Sequence, residues 1–154
     1  MHFLIVAVGR AKAGPERTLF EHYQARVKTP FSLQLIEVEE KRAFRGDQLR
    51  AREARLFQSF ISDSAIVIVL DERENSLSSI DFARKIGNWR EEGIRKLVFL
   101  IGGAEGLDDM IRMQAHLALS FGAQTWPHLL VRGLLAEQLY RAQCILCRHP
   151  YHRV

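Results

Sequence analysis

Four short apolar runs, alternating with segments whose apolar residues recur at helical spacing, predict an α/β fold: a mostly parallel sheet with helices on both faces. The runs are FLIVAV (3–8), LQLIEV (33–38), AIVIVL (65–70) and KLVFLI (96–101). Three of them are almost continuously apolar, as strands covered on both faces of a parallel sheet must be. The 154 residues are enough to bury a core in one domain spanning 1–154.

The intervening helices follow in order. In 15–28, Leu19, Phe20, Tyr23 and Val27 fall on one stripe and Pro15 suits a first helical turn. In 47–60 the stripe is Leu49, Leu56, Phe57 and Phe60. In 78–93 it is Ile80, Ala83, Ile86 and Trp89 or Arg90, with a serine N-cap and Gly93 just past the end. A helix is expected to begin near Leu107, then a fifth strand at 117–121, then a long helix over 129–147. The apolar residues of that last helix, from Leu130 to Leu146, cover more than one stripe, so it is deeply buried or packed against a second subunit.

The net charge of +4 and pI near 9.4 suit a polyanionic partner, and equally a merely basic soluble protein. No apolar run approaches the roughly 20 residues that cross a bilayer. The amino terminus enters its first strand without a basic region and cleavage site, so no secretory signal is expected and the chain is expected in the cytoplasm. Its two cysteines, Cys144 and Cys147, make neither a disulfide framework nor a zinc site. Their C-x-x-C spacing falls at the end of a helix, where it reads as two small buried hydrophobes rather than a redox pair. No metal is expected.

The most polar stretch is 37–55, where Lys41, Arg42, Arg45, Arg50, Arg52 and Arg55 are interleaved with acids. It reads as a solvated face or as a phosphate-contacting surface. In LVFLIGGAEGL (97–107) a buried strand runs into Gly102, Gly103 and Gly106 and then a helix. Glycines there let the chain turn sharply and let a ligand approach the backbone, although neither the G-x-G-x-x-G nor the P-loop pattern is present. A nucleotide-type ligand and a tight structural turn both fit, and Glu105 serves the start of the following helix. At helical spacing Glu137 and Arg141 form an i, i+4 pair. The chain ends in HPYHRV, which carries histidines, a tyrosine and an arginine into a terminus that would ordinarily fray.

Taken in order, LIGGAEGL, LSFGAQTWPHLLVRGLLAEQLYRAQ and the terminal HPYHR resemble the RlmH family, SPOUT-class methyltransferases of 23S ribosomal RNA. The matching positions run from Gly102, Gly103 and Gly106 through Ser120, Thr125, Pro127, His128, Arg132, Glu137, Tyr140 and Arg141 to His149–Arg153, and the opening FLIVAVGR is similar as well. The resemblance therefore covers the whole chain.

It implies a carboxyl-terminal part threaded into a trefoil knot (the SPOUT or α-β knot), a homodimer, and S-adenosyl-L-methionine as cofactor. The cofactor positions it implies are Leu70, Gly102, Phe121, Gly122, Ala123, Gln124, Thr125 and Trp126. It implies as substrate the pseudouridine at position 1915, in helix 69 of 23S rRNA, methylated at N3 in assembled 70S ribosomes. In that reading His149 or His152 assists proton removal, Tyr151 packs on the target base, and Arg153 binds phosphate with Arg132 and Arg141, beside Tyr140. Glu137 orients Arg141. A SPOUT enzyme acting on another RNA base and a ribosome-binding module without catalysis are the alternatives.

Overall fold

The computed structural model describes residues 1–74 and 76–151. Strands β1 (His2–Val8), β2 (Ser32–Val38), β3 (Ala65–Leu70), β4 (Lys96–Ile101) and β5 (Leu117–Leu119) form one sheet in the order β2-β1-β4-β3-β5. Every pairing is parallel, so all carboxyl ends lie along one edge. The helices are α1 (Pro15–Gln24), α2 (Gly46–Gln58), α3 (Ser79–Glu91), α4 (Asp109–Met113) and α5 (His128–Leu146).

Side chains alternate across the strands and divide the core in two. Phe3, Ile5, Phe99 and Ile101 point to one face, where they meet Phe20, Ile86, Leu135 and Leu139 of α1, α3 and α5. Leu4, Val6, Val67 and Val98 point to the other and meet Phe57 of α2 and Ile111 of α4. Each of the large fully buried apolar side chains contributes about 1.5–3 kcal/mol. On the first face α1 and α5 touch closely at Gly133, where an added Cβ would lie 2.7 Å from Leu19 Cδ2.

Helix and strand ends depart from the sequence expectation for local reasons. α1 stops at Gln24, because Arg26 and Val27 bond back to Tyr23 and Gln24 in a tightened turn. α4 is one short turn, capped by Asp108, whose side chain accepts from the Met110 amide at 2.9 Å. β5 ends at Leu119, since the Ser120 hydroxyl closes a local turn with Gly122. Ser78 does cap α3, accepting from the Asp81 amide at 3.0 Å, and Gly93 follows with φ +87°. Ile80, expected on the buried stripe of α3, is 40% exposed, and Phe82 takes its place in the core. Cys144 is buried as expected, but Cys147 is exposed, because α5 ends there and the chain turns out.

α5 is apolar nearly all round. It buries Leu135, Ala136, Leu139 and Ala142, and leaves Leu130 and Leu134, one turn apart, half-buried.

Candidate functional site

A cavity of about 790 Å³ opens outside the carboxyl ends of β3, β4 and β5. Open parallel sheets bind their ligands at such ends. Three loops build it. The first follows Leu70, the second is the glycine turn 102–107, and the third runs from Ser120 to His128.

The glycine turn is narrow by necessity. A Cβ on Gly102 would stand 2.9 Å from both C and O of Gly106, and Gly106 itself has φ +78°. Behind the turn lies Glu53 of α2, 5% exposed. Its Oε1 would be 3.0 Å from a Cβ on Gly103, and its Oε2 has no hydrogen-bond partner among the described residues. Burial pushes the Glu53 carboxyl above its ordinary range, the Gly103 amide opposes that shift, and the Glu105 charge adds to it. Nothing in its sequence neighbourhood sets Glu53 apart from the solvated charges beside it.

The third loop is tied at its root. Ser120 Oγ donates to Gly122 O at 2.8 Å and accepts from the Gly122 amide at 3.1 Å, with Gly122 at φ +105°. Trp126, 38% exposed, lines the cavity, and its indole N–H reaches Phe121 O at 3.4 Å. Leu70, Gly102, Phe121, Gly122, Gln124, Thr125 and Trp126 thus all border one space, whereas Ala123 is exposed and does not.

The charges on the wall are mostly acidic: Asp71, Glu72, Glu105 and Asp109 against Arg50 and Arg73. Both arginines are already paired, Arg73 with Asp71 at 3.0 Å and Arg50 with Asp47. Asp71 also holds Arg112 at 2.9 Å, which in turn holds Glu74 at 2.8 Å. His128, at the start of α5, completes the wall. Burial first, and then the Arg132 charge, lower its pKa, so the imidazole is neutral at pH 7.

Arg132 does not reach the cavity or solvent, which corrects its expected phosphate role. It is 2% exposed, and its guanidinium donates to Glu37 Oε1 at 2.6 Å, Val8 O at 2.7 Å and Gly9 O at 3.0 Å. Glu37 Oε1 also accepts from the Ala11 amide. Arg132 is therefore a strut joining α5 to the carboxyl ends of β1 and β2. Tyr140 is likewise core, 6% exposed, which removes it from direct contact with RNA.

The tail turns back on α5. Arg148 adopts φ 54°, with its amide bonded to Ile145 O and the His149 amide to Cys144 O, the two bonds of a Schellman motif. Tyr151 then packs edge-on to Tyr140, with centroids 4.7 Å apart, between the guanidiniums of Arg26 and Arg141. Its hydroxyl donates to Glu137 Oε1 at 3.1 Å, the atom that also receives Arg141. Burial first, and then hydrogen bonding with Tyr23 and Glu137, raise the phenol pKa well above its usual value. His149 is exposed, with Nδ1 accepting from the Tyr151 amide. His152 and Arg153 lie outside the described residues.

Comparison with known proteins accords with this arrangement. A family model described as predicted SPOUT methyltransferase matches residues 1–152. The chain is 53% identical over 153 residues to a ribosomal RNA large subunit methyltransferase H from Paramagnetospirillum magneticum, and 48% identical over 153 residues to one from Rhodospirillum centenum, covering 99% of both sequences in each case. A probable methylase family protein from Haemophilus influenzae shares the fold, with a TM-score of 0.63 at 14% identity over 99% of this chain and 70% of the other. A parallel sheet with a glycine-turned cavity at its carboxyl edge, and relatives alike from end to end, place the chain in the SPOUT methyltransferase family, among the ribosomal RNA large subunit methyltransferases H.

Proposed function

We propose that the chain, acting as one domain, transfers a methyl group from S-adenosylmethionine to N3 of the pseudouridine at position 1915, in helix 69 of 23S rRNA, on assembled ribosomes in the cytoplasm. The cofactor assignment is carried by the charge of the cavity wall. Nucleotide cofactors bearing phosphates require cations or open helix N-termini, whereas a wall whose two arginines are both paired, and whose Glu72, Glu105 and Asp109 stand outside any ion pair among the described residues, suits a ligand of net positive charge. The Gly102–Gly106 contact leaves no room for a side chain at Gly102, so backbone groups there and the apolar Leu70, Phe121 and Trp126 would hold the adenosine. When bound, S-adenosylmethionine supplies a sulfonium methyl group for in-line transfer to a nitrogen.

The protein's share of the chemistry is positioning and proton management. Pseudouridine N3 carries a proton that must leave. One of the tail histidines, His149 or His152, is assigned to that step, with Arg153 on phosphate. Within the cavity itself, neutral His128 is a second acceptor.

Among the described residues, which reach Tyr151, a chain's own tail does not border its own cavity. His128 lies on the wall, and Tyr151 docks at Glu137 and Tyr140, nine to twelve residues along α5. That is about 14–18 Å along the helix axis. We therefore assign the completed site to a homodimer in which the tail of one copy closes the cavity of the other. The half-buried Leu130 and Leu134, with the exposed Trp126 just ahead of α5, supply apolar surface for that contact. The carboxyl-terminal trefoil knot belongs to the same reading. Among the described residues no helix is long and apolar enough to cross a membrane, and no cluster of three candidate metal ligands occurs.

The test is transfer of labelled methyl groups from S-adenosylmethionine to ribosomes lacking the modification, with the label mapped by nuclease digestion. Label at the helix 69 pseudouridine is expected. Cofactor binding with label on another base would move the substrate assignment, and binding without any transfer would favour the non-catalytic module.

A further inference from the structure

We infer that the loop joining β2 to α2, with the exposed side of α2, is a second RNA-phosphate contact surface, set beside the cavity mouth and separate from the tail. This rests on the rRNA methyltransferase reading above and says where the ribosome is gripped.

Charge is the first observation. Residues 41–55 carry six cations, Lys41, Arg42, Arg45, Arg50, Arg52 and Arg55, against Asp47 and Glu53. That surplus of four equals the net charge of the whole chain, and the remaining residues balance at sixteen of each sign. Glu53 is turned inward behind the glycine turn, so Asp47 is the one acid of the segment at the surface. Upstream, Glu39 is turned toward Arg10 at 3.8 Å and Glu40 accepts from the Arg42 amide at 3.0 Å.

Pairing is the second. Arg17, Arg73, Arg84, Arg112, Arg132 and Arg141 are each held by a carboxylate. Among the described residues no ion pair engages Lys41, Arg42, Arg45, Arg52 or Arg55. Lys41, Arg42, Arg45 and Arg55 are exposed, and Arg52 is stacked on the Phe44 ring at 5.0 Å, which stiffens the loop. The sequence motif suggested phosphate ligands at Arg132 and Arg141, but the first is buried in an ion pair and the second is held by Glu137. Unpaired cations, by contrast, are what a phosphate backbone recruits.

Placement is the third. The loop leaves the carboxyl end of β2, on the sheet edge where the cavity opens. Arg50 connects the two: it lines the cavity, and its guanidinium reaches Glu105 O of the glycine turn at 3.5 Å. An RNA presenting a base to the cavity therefore has this surface alongside it. An RNA backbone, rather than an acidic protein, is favoured because the cations are spread along an extended loop and helix with one aromatic among them.

The test compares wild type with the triple variant Lys41→Glu, Arg42→Glu, Arg45→Glu and with the milder triple glutamine variant. All three positions are exposed and outside any ion pair among the described residues, so the thermal midpoint and S-adenosylmethionine affinity are expected to stay at wild-type values. The KM for ribosomes is expected to rise about 10-fold or more in the charge-reversed variant, and about threefold in the neutral one. The slope of log binding constant against log salt should fall by about two to three, near one for each phosphate no longer neutralised. Wild-type KM and salt slope in both variants would overturn the inference. So would weakened ribosome binding with unchanged binding to protein-free 23S rRNA, which would assign the surface to a ribosomal protein. Should wild type itself transfer no methyl group, the catalytic reading fails alone, and the same salt titration of direct ribosome binding still decides the surface.

Discussion

The carboxylate of Glu53 stands directly behind Gly103, so close that a methyl group on that glycine would meet Glu53 Oε1 at 3.0 Å. An α2 side chain thus backs the turn that forms the cavity's wall, with one oxygen left without a partner among the described residues. Such a group is held at a cost when ionised.

The pH dependence follows from the direction of the shift. Burial raises the Glu53 carboxyl above its usual 4.5, so the folded state holds its proton to higher pH than the unfolded chain does. The stabilising contribution is complete below about pH 4.5 and is lost as pH rises through the folded value. Glu53→Gln should therefore be more stable than wild type in urea at pH 8, with the gap closing as pH approaches 4. A gap that does not vary with pH would mean the carboxyl is not the source.

Gly102→Ala should cost cofactor binding more than folding. Its Cβ would lie 2.9 Å from two backbone atoms of Gly106, and backbone cannot rotate away. Overpacking of this kind costs about 1–3 kcal/mol, and the strain falls on the turn that borders the cavity. Titration calorimetry should show S-adenosylmethionine affinity at least 10-fold weaker while the far-ultraviolet spectrum is unchanged.

Arg132→Met separates a strut from an RNA ligand. Removing one partner of a buried ion pair costs about 3–5 kcal/mol, and here Val8 O and Gly9 O lose their donor as well. Urea denaturation should show a loss of that size. A stable variant with only a raised KM for ribosomes would restore the phosphate role.

Arg148→Gly tests the reversal that brings the tail back. A side chain at φ 54° is strained where glycine is not, by about 1 kcal/mol. The glycine variant should be more stable by about that amount, seen as a rise of a few degrees in Tm, with methyl transfer retained.

Much of the fold could be read in the sequence because it depends on period. Continuous apolar runs marked β1, β3 and β4, Ser78 and Gly93 bracketed α3, and Gly102-Gly103 with Gly106 marked the turn at the cavity. What escaped depends on partners far away in the chain. Arg132 sits at an unremarkable helical position, and its role emerges only when Glu37, 95 residues away, is brought beside it. Glu53 lies in the most polar stretch of the chain and is nonetheless turned inward. The tail reversal rests on Arg148 in a left-handed conformation, where no glycine announced it. The docking of Tyr151 among Arg26, Tyr140 and Arg141 combines the end of α1, α5 and the tail, which no single window of sequence contains.

The composite site is tested most directly by mixing two inactive chains. One lacks residues 149–154, keeping its cavity but losing its tail, and the other carries Gly102→Ala, keeping its tail but with an impaired cavity. Each alone should fold and transfer few or no methyl groups to ribosomes. Co-expressed with different tags and purified through both, the mixed pair should regain about half the wild-type rate, because one intact cavity then faces one intact tail. A mixed pair as inactive as its parents would contradict closure across the dimer and return the tail to its own chain's cavity.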